Sequence, residues 1–498
     1  MSGMAPLIIE LATVPSPEQC CEALAGLPYR LFLDSATPAT RLGQYSFLSA
    51  DPIAVVRSKG DRTEVLDGTG PPRLVPTDVI TTIREWLKPF ATPAIEGIPP
   101  FQGGAAGYIG YDWGRTIEHL PASRYDDLAL PDATLGIYDW VLAWDHTARR
   151  AWLISTGLPE LAPDARRAKA FARAGEIQRA LRDRTASHRP QIAASPMGLT
   201  PRGRAEAYPV DASEWDDRLD LRSSFTREGY IDAVRRVREY IIAGDIFQAN
   251  LSQRFVAPLR GTPWPLYQRL RSRNAAPFAA FLDFPDAAIL SASPERFLRV
   301  NPDGAVETRP IKGTRPRGIG PEHDAHLGQA LSESEKDRSE NLMIVDLMRN
   351  DLSRVCRPGS VRVPELFALE RYATVHHLVS TVVGHLEPGR DALELLLAAF
   401  PGGSVTGAPK VRAMEIIAEL EPSERGVYCG SLGYYSITGA LDTNIAIRTA
   451  VVRDHQVWFS AGGGIVADSD PTQEYRETLD KARGMIASLG SPNGAVAR

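Results

Sequence analysis

SAGGGIVADSDPTQEYRET, residues 460–478, joins a run of three glycines to an acidic helix. Gly462, Gly463 and Gly464 allow backbone N–H groups to converge on a carboxylate. No Gly-Lys-Ser/Thr follows, so the run is not a phosphate-binding P-loop, and a flexible turn is the plainer alternative. The helix is announced by Asp470 as cap, Pro471 at the first position and Gln473 three residues after the cap. Its Glu474 and Glu477 lie three apart and share a face.

A second acidic face lies upstream. SEKDRSENLMIVDLMRND, residues 334–351, reads as helix and puts Asp337 and Glu340 at the same spacing. Two such faces brought together repel each other unless a cation sits between them. Oxygen-only donors with positions left for water or substrate suit Mg²⁺ better than zinc. The ordinary alternative is two solvated helix surfaces.

Other segments suit anions or proton transfer. Arg448, in LDTNIAIRTA (441–450), is predicted to sit on a β-strand, where it needs a paired charge or an anionic ligand. PGGSVTGAPK (401–410) is a second glycine-rich loop, with Thr406 inside it and Lys410 in the first turn of the helix that follows. Lys312, between Pro310 and Gly313, is held in a tight, irregular backbone; partly desolvated it becomes a neutral nucleophile, and otherwise it is a surface lysine. Glu295, in SPERF (293–297), follows an apolar strand. Burial makes it a general acid, unless it pairs with Arg296 or Arg309.

The chain of 498 residues carries a net charge of −5, with 43% hydrophobic and 23% charged residues, the composition of a soluble globular protein. No basic field suits nucleic acid, so a small anion must be drawn by local groups. Cys20, Cys21, Cys356 and Cys429 form no CxxC pair, which argues against a disulfide framework or a zinc site. The N-terminus lacks a basic signal region, and no apolar run reaches the roughly 20 residues of a membrane helix. A cytoplasmic protein without membrane contact is expected.

Three regions are read along the chain. Residues 1–158 mix strands and helices, with a helix capped by Ser16 and stopped at Gly26. Residues 159–224 form a helical and linker excursion: Asp164–Arg184 is Ala/Arg-rich and predicted to be a solvated face, and Ser187–Pro209 is the best linker. From 225 to 490 strands alternate with capped helices, beginning with Tyr230, Val234, Val237 and Ile241 at helical spacing.

Taken together, GDIFQANLSQRF (244–255), SPERF, TRPIKGT (308–314), ENLMIVDLMRND (340–351), HHLVS (376–380), PGGSVTGAPK, GSLGYYS (430–436), LDTNIAIRT and GGGIVADSDPTQEYRET resemble the chorismate-utilising enzymes. These motifs span slightly over half of the chain. The resemblance implies an α/β (α+β) sandwich of antiparallel sheets with flanking helices, the N- and C-terminal parts interlocked. It implies that Glu340 and Glu477 ligate Mg²⁺, supported by Asp337 and Glu474, and that Gly462–Gly464 hold the ring carboxylate of chorismate. It further implies that Arg448 and Tyr428 meet the enolpyruvyl side chain and that His377 stands near C4. Gln248, Asn250, Lys410 and Thr406 fall at binding-motif positions. LFLDSA (31–36) and GQYSFLSADP (43–52) resemble the region that holds a tryptophan pocket in relatives, which points to Leu33, Ser35 and Tyr45.

The branch of the family is read from the tetrad at Lys312. PIKGT is similar to the members that aminate chorismate at C4, whereas the anthranilate-forming members typically read PIAGT. In the C4 branch the lysine attacks C2, Glu295 protonates the departing C4 hydroxyl, and ammonia then adds at C4. Asn250 favours the same branch, while DIFQ and LSQRF read like the anthranilate-forming one. Members that activate water carry a lysine where this chain has Gln248. The sequence contains no GxCxG nucleophile elbow, so ammonia is expected from a separate glutamine amidotransferase subunit. A non-catalytic paralogue that binds tryptophan or the amidotransferase is the alternative of another class.

Overall fold

The computed structural model describes residues 4–490 apart from 38–41, 69, 184–190, 192–194, 211–218 and 373–374. Among the described residues, thirteen strands form one sheet and twelve the other. Both sheets draw on both ends of the chain. In the first, the N-terminal strand Arg30–Asp34 is laddered antiparallel to Phe278–Asp283, with Phe32 opposite Phe281. In the second, Ser431–Ser436 lies against Gly104–Ile109, with Gly433 opposite Gly107. The expected sandwich with interlocked halves is therefore what the chain forms.

Aromatic and branched side chains from the two inner faces fill the space between the sheets. Phe47 of the first sheet packs on Tyr434 of the second at 5.4 Å, and Phe101 stacks on the same tyrosine at 4.7 Å. These contacts belong to one buried cluster with Leu31, Val55, Ala106 and Val141.

The elements that carry the chemistry lie in the C-terminal part. They are β1 (Gln248–Pro258), β2 (Ile311–Pro316), α1 (Glu335–Ser353), β3 (Val375–His385), α2 (Lys410–Leu420), β4 (Gln456–Ile465) and α3 (Pro471–Leu489). α1 is capped by Ser334, which accepts from the Asp337 amide, and α3 by Asp470, which accepts from the Gln473 amide at 2.8 Å. The helix read from Tyr230, Val234 and Val237 spans Arg227–Ile242 and buries those three side chains.

Three local readings change. First, Arg448 is not on a strand. Leu441–Asn444 belongs to the second sheet and Thr449–Arg453 to the first, so residues 445–448 cross between them. Arg448 takes φ +49° at that corner. Second, Gly462–Gly464 form no turn: they end β4, and Gly464 lies opposite Asn250 of β1. Third, the Ala/Arg-rich helix, Pro163–Asp183, is docked and not solvated all round. It buries Ala170, Ala174 and Ile177, and Arg173 reaches Asp51 at 2.9 Å. Small alanines let the helix approach the sheet, and the buried guanidinium finds a carboxylate partner. The short first helix, Pro17–Ala23, is capped by Ser16 as read and ends ahead of Gly26. The linker stretch Ser187–Pro209 lies partly outside the described residues; from 195 onward its backbone is tied down, Ser195 accepting from Arg57 at 2.6 Å.

Candidate active site

Two neighbouring crossings between the sheets set the floor of the site. The strand Ala288–Ser293 belongs to the first sheet and Arg296–Val300 to the second, so Pro294 and Glu295 form one crossing and residues 445–448 the other. They are stitched together: Ile445 donates its amide to the Glu295 carbonyl at 3.1 Å, and Ala292 donates to the Arg448 carbonyl at 3.0 Å.

Glu295 is buried, and burial pushes its carboxyl up to about 7, against hydrogen bonds from Ser404 and the Ile311 backbone and the charge of Lys312. Neither arginine expected as its structural partner is available. Arg296 pairs with Glu307 at 2.7 Å and Asp442 at 3.0 Å, and Arg309 pairs with Glu365 at 3.1 Å and with Glu370. A carboxyl that keeps its proton near neutral pH is suited to general acid work.

Lys312 sits on β2 where the pairing with β3 slips between Ile311 and Thr314, and Gly313 takes φ +86°. The slip is a bulge that re-aims the lysine, and only glycine tolerates the following conformation at low cost. Burial lowers the Lys312 pKa. Glu340, Glu295 and Glu477 oppose that shift, and the charge of Lys481 adds to it. Both effects that lower it favour the free amine.

The neighbours of Lys312 come from the glycine strand. Added to Gly464, a Cβ would lie 1.8 Å from Gln248 Nε2 and 3.5 Å from Lys312 Nζ. On Gly463 it would meet Glu474 Oε2 at 3.0 Å and Glu477 Oε1 at 3.6 Å. Pairing of β4 with Thr449–Arg453 stops at Phe459, so beyond it Gly462–Gly464 are laddered on the β1 flank alone. Glycine is required here by close approach and not by a special φ. The Gln248 side chain is buried with its Oε1 unpartnered.

The acidic faces of α1 and α3 do meet. Glu340 is pushed up, chiefly by burial and further by Asp337 and Glu477, with Lys312 and Lys336 pulling it down. Glu474 is raised by burial and by Glu477, and is held by the Ser469 hydroxyl at 2.7 Å. Glu477 is lowered, because Lys481 pairs with it at 2.7 Å. Asp337 is instead engaged by Arg315 at 2.8 Å.

His377 is buried on β3, with Nδ1 2.9 Å from the Thr314 hydroxyl. Burial and then the charge of Arg448 push it down to about 3, so it is neutral near pH 7. Burial alone lowers Arg448, and no carboxylate among the described residues lies within ion-pair distance of it. An uncompensated guanidinium at an interior crossing is a site for an anionic ligand.

The remaining residues frame the site. Tyr428 is buried beside Cys429 and under Arg425, 5.8 Å from its ring centre. Asn250 donates its amide to the Thr406 carbonyl at 2.8 Å, and the Thr406 hydroxyl donates to the Gly402 carbonyl at 2.8 Å. Lys410 is spent on Asp351 at 2.7 Å and the Ala399 carbonyl at 2.8 Å, so it fastens α2 to α1. Sequence reasoning missed Ser404, Thr314 and Lys481. Lys481 was findable, standing one turn after Glu477; the other two are ordinary hydroxyls inside motifs.

Leu33, Ser35 and Tyr45 line a separate cavity of about 420 Å³ between the sheets, walled also by Phe47, Phe278 and Tyr434. The Ser35 hydroxyl donates to the Tyr45 carbonyl at 2.6 Å.

Residues 29–487 match the model of the chorismate binding enzyme family. The chain is 42% identical to aminodeoxychorismate synthase component 1 of Klebsiella aerogenes over 98% of this chain and 100% of that protein. It is 43% identical to anthranilate synthase component 1 of Streptomyces coelicolor over 86% of this chain and 81% of that one. Among solved structures, anthranilate synthase component I of Streptococcus pneumoniae superposes with a TM-score of 0.72 at 30% identity, covering 89% of this chain and 92% of that one. With a crossing-borne acid, a bulge-borne lysine and an unpaired interior arginine in place, and with the family pattern matched along nearly its whole length, this chain belongs to the chorismate binding enzymes.

Proposed function

We propose that the chain aminates chorismate at C4, giving 4-amino-4-deoxychorismate, on the route to 4-aminobenzoate and folate. The observation that carries this reading is Lys312: a half-buried amine on a bulge, near enough to Glu295 for their charges to interact, where Glu295 holds its proton to about pH 7. Anthranilate-forming relatives resemble the same tetrad with alanine in place of this lysine. The full-length likeness to a protein named for the C4 reaction supports the same choice.

Arg448 supplies the interior charge for a substrate carboxylate, and Gly462–Gly464 let the substrate lie close to backbone. Lys312, as free amine, attacks C2 of the ring, both ring double bonds shift by one position, and the C4 hydroxyl leaves as water with a proton from Glu295. Ammonia then adds at C4, both double bonds return, the lysine is expelled from C2 as amine, and the new ammonium gives a proton back to Glu295. Covalent catalysis divides one difficult substitution into two easier ones. Neutral His377, tied to Thr314, lines the ring without competing for the proton.

The donor set fits magnesium: Glu340 and Glu477 offer oxygen alone, and Glu474 is held beside them by Ser469. Among the described residues no three His, Cys, Asp or Glu side chains gather closely enough to hold a metal ion by themselves. Glu340 and Glu477 would hold the ion, which would supply positive charge to the ring carboxylate of chorismate.

Ammonia comes from a separate glutamine amidotransferase subunit. All four cysteines are buried, and burial pushes their thiols up to about 11 for Cys356 and about 12 for Cys20, Cys21 and Cys429. None offers the exposed thiolate that glutamine hydrolysis requires.

Product identity tests the reading. Purified chain, chorismate, Mg²⁺ and an ammonium salt should give a product that becomes 4-aminobenzoate only after a lyase is added. Fluorescent anthranilate with released pyruvate would overturn it.

A further inference from the structure

We propose that the Lys481 ammonium is the built-in cation of the acidic cleft: it holds the Glu477 carboxylate until a divalent ion takes that carboxylate over. The proposal rests on the magnesium reading above. Lys481 stands one helical turn after Glu477 on α3, and its Nζ lies 2.7 Å from Glu477 Oε1. The same ammonium donates to the Gly462 carbonyl at 2.8 Å. It therefore bridges the acidic helix to the glycine strand, at the carboxylate assigned to the metal.

The other carboxylates are held differently. Glu474 is fixed by the Ser469 hydroxyl at 2.7 Å, and its lysine, Lys336, reaches it only at 3.5 Å. Glu340 makes no ion pair within 4 Å among the described residues. Glu474 and Glu477 both stand beside Gly463, and of the two Glu477 has the shorter ion pair. An ammonium and a divalent cation on the same carboxylate repel each other, so the two compete for it. Lys481 can leave: its side chain is 42% exposed, on a flexible four-carbon stem that solvent can receive. The exchange keeps the carboxylates of α1 and α3 from repelling each other before metal arrives, and its cost is subtracted from metal affinity.

The test is calorimetric titration of Mg²⁺ into wild type, Lys481→Met, Lys481→Arg and Lys336→Met, with thermal melts of each with and without Mg²⁺. For Lys481→Met we expect Mg²⁺ to bind roughly 3- to 10-fold tighter, the change set by losing one directly paired, half-exposed cation. Its metal-free melting temperature should fall while the metal-loaded one stays at the wild-type value. Lys336→Met should change Mg²⁺ affinity less than about twofold, because its longer ion pair is with the supporting Glu474 and not with Glu477. Lys481→Arg keeps the competitor and should bind no tighter than wild type, which tests the idea even where the methionine variant fails to fold. Unchanged or weaker binding by Lys481→Met, an equal gain in Lys336→Met, or tighter binding by Lys481→Arg would each overturn the proposal while leaving the magnesium reading intact. No Mg²⁺ binding by any of the four proteins would instead remove the magnesium reading, and this proposal with it.

Discussion

Glu295 and Lys312 act on each other across the site. The lysine's charge draws the carboxyl down and the carboxylate draws the lysine up, yet burial prevails on both and leaves each nearer its neutral form than in water. The proposed first step of amination calls for a protonated acid and a free amine, and both shifts run in that direction.

The pH dependence of stability follows from Glu295. Its carboxyl titrates near 7 when folded and near 4.5 when not, so between those values the unfolded chain has released the proton that the folded one keeps. Stability therefore falls as pH rises from 4.5 to 7, and the full cost is present above 7. Glu295→Gln should raise stability at pH 8 by up to about 3 kcal/mol and leave it unchanged at pH 4. Urea melts at the two pH values check this; an equal effect at both would show that the carboxyl is not buried as described.

The same substitution tests catalysis. Glu295→Gln should lower kcat roughly 10²- to 10⁴-fold, the range for losing a positioned acid. It should also abolish the decline of wild-type kcat/KM above about pH 7, where Glu295 gives up its proton. A wild-type profile that stays flat through that range would assign the acid elsewhere.

Lys312→Ala should cut amination sharply or divert the product, with chorismate binding retained, because the interior charge at Arg448 is untouched. Intact-mass spectrometry of quenched wild type without ammonia should show a chorismate-derived adduct on Lys312 that the variant lacks. Unchanged rate and product in Lys312→Ala would end the covalent role.

The glycine strand separates folding from function. A Cβ on Gly462 would meet the Leu251 carbonyl at 2.3 Å, and rigid backbone cannot give way. Gly462→Ala should therefore destabilise by about 1–3 kcal/mol or more. On Gly464 the obstacle is the Gln248 side chain at 1.8 Å, which can rotate. Gly464→Ala should leave the melting temperature nearly unchanged and reduce turnover, because the added Cβ displaces the Gln248 amide and lies 3.5 Å from Lys312 Nζ. Equal melting losses in both variants would contradict this division.

The cavity at Leu33, Ser35 and Tyr45, about 420 Å³, falls in the size range of small-molecule sites. Tryptophan should raise the melting temperature of wild type and not of Ser35→Phe, which fills the cavity. A titration with no heat and no melting shift would retire that site.

Much of this was legible in sequence. Asp470, Pro471 and Gln473 announce α3 because capping is local, and the Glu474–Glu477 spacing places both carboxylates on one face through the helical repeat. The family motifs, read in order, carried the sandwich and the interlocking of its halves. What sequence could not give depends on distant partners. Arg448 looked strand-borne because it sits in the unbroken run LDTNIAIRTA, but residues 445–448 leave one sheet for the other, and only the pairing of Leu441–Asn444 and Thr449–Arg453 with different neighbours reveals it. The glycine run looked like a turn because glycine permits turns, whereas it is strand, kept free of side chains by Leu251, Gln248 and Glu474 packed against it. Lys410 stood in a binding motif and is spent on Asp351 from another helix. Protonation was beyond sequence for the same reason: Glu295 and Lys312 are shifted by burial, which is a property of the packed chain around them and not of the residues that adjoin them.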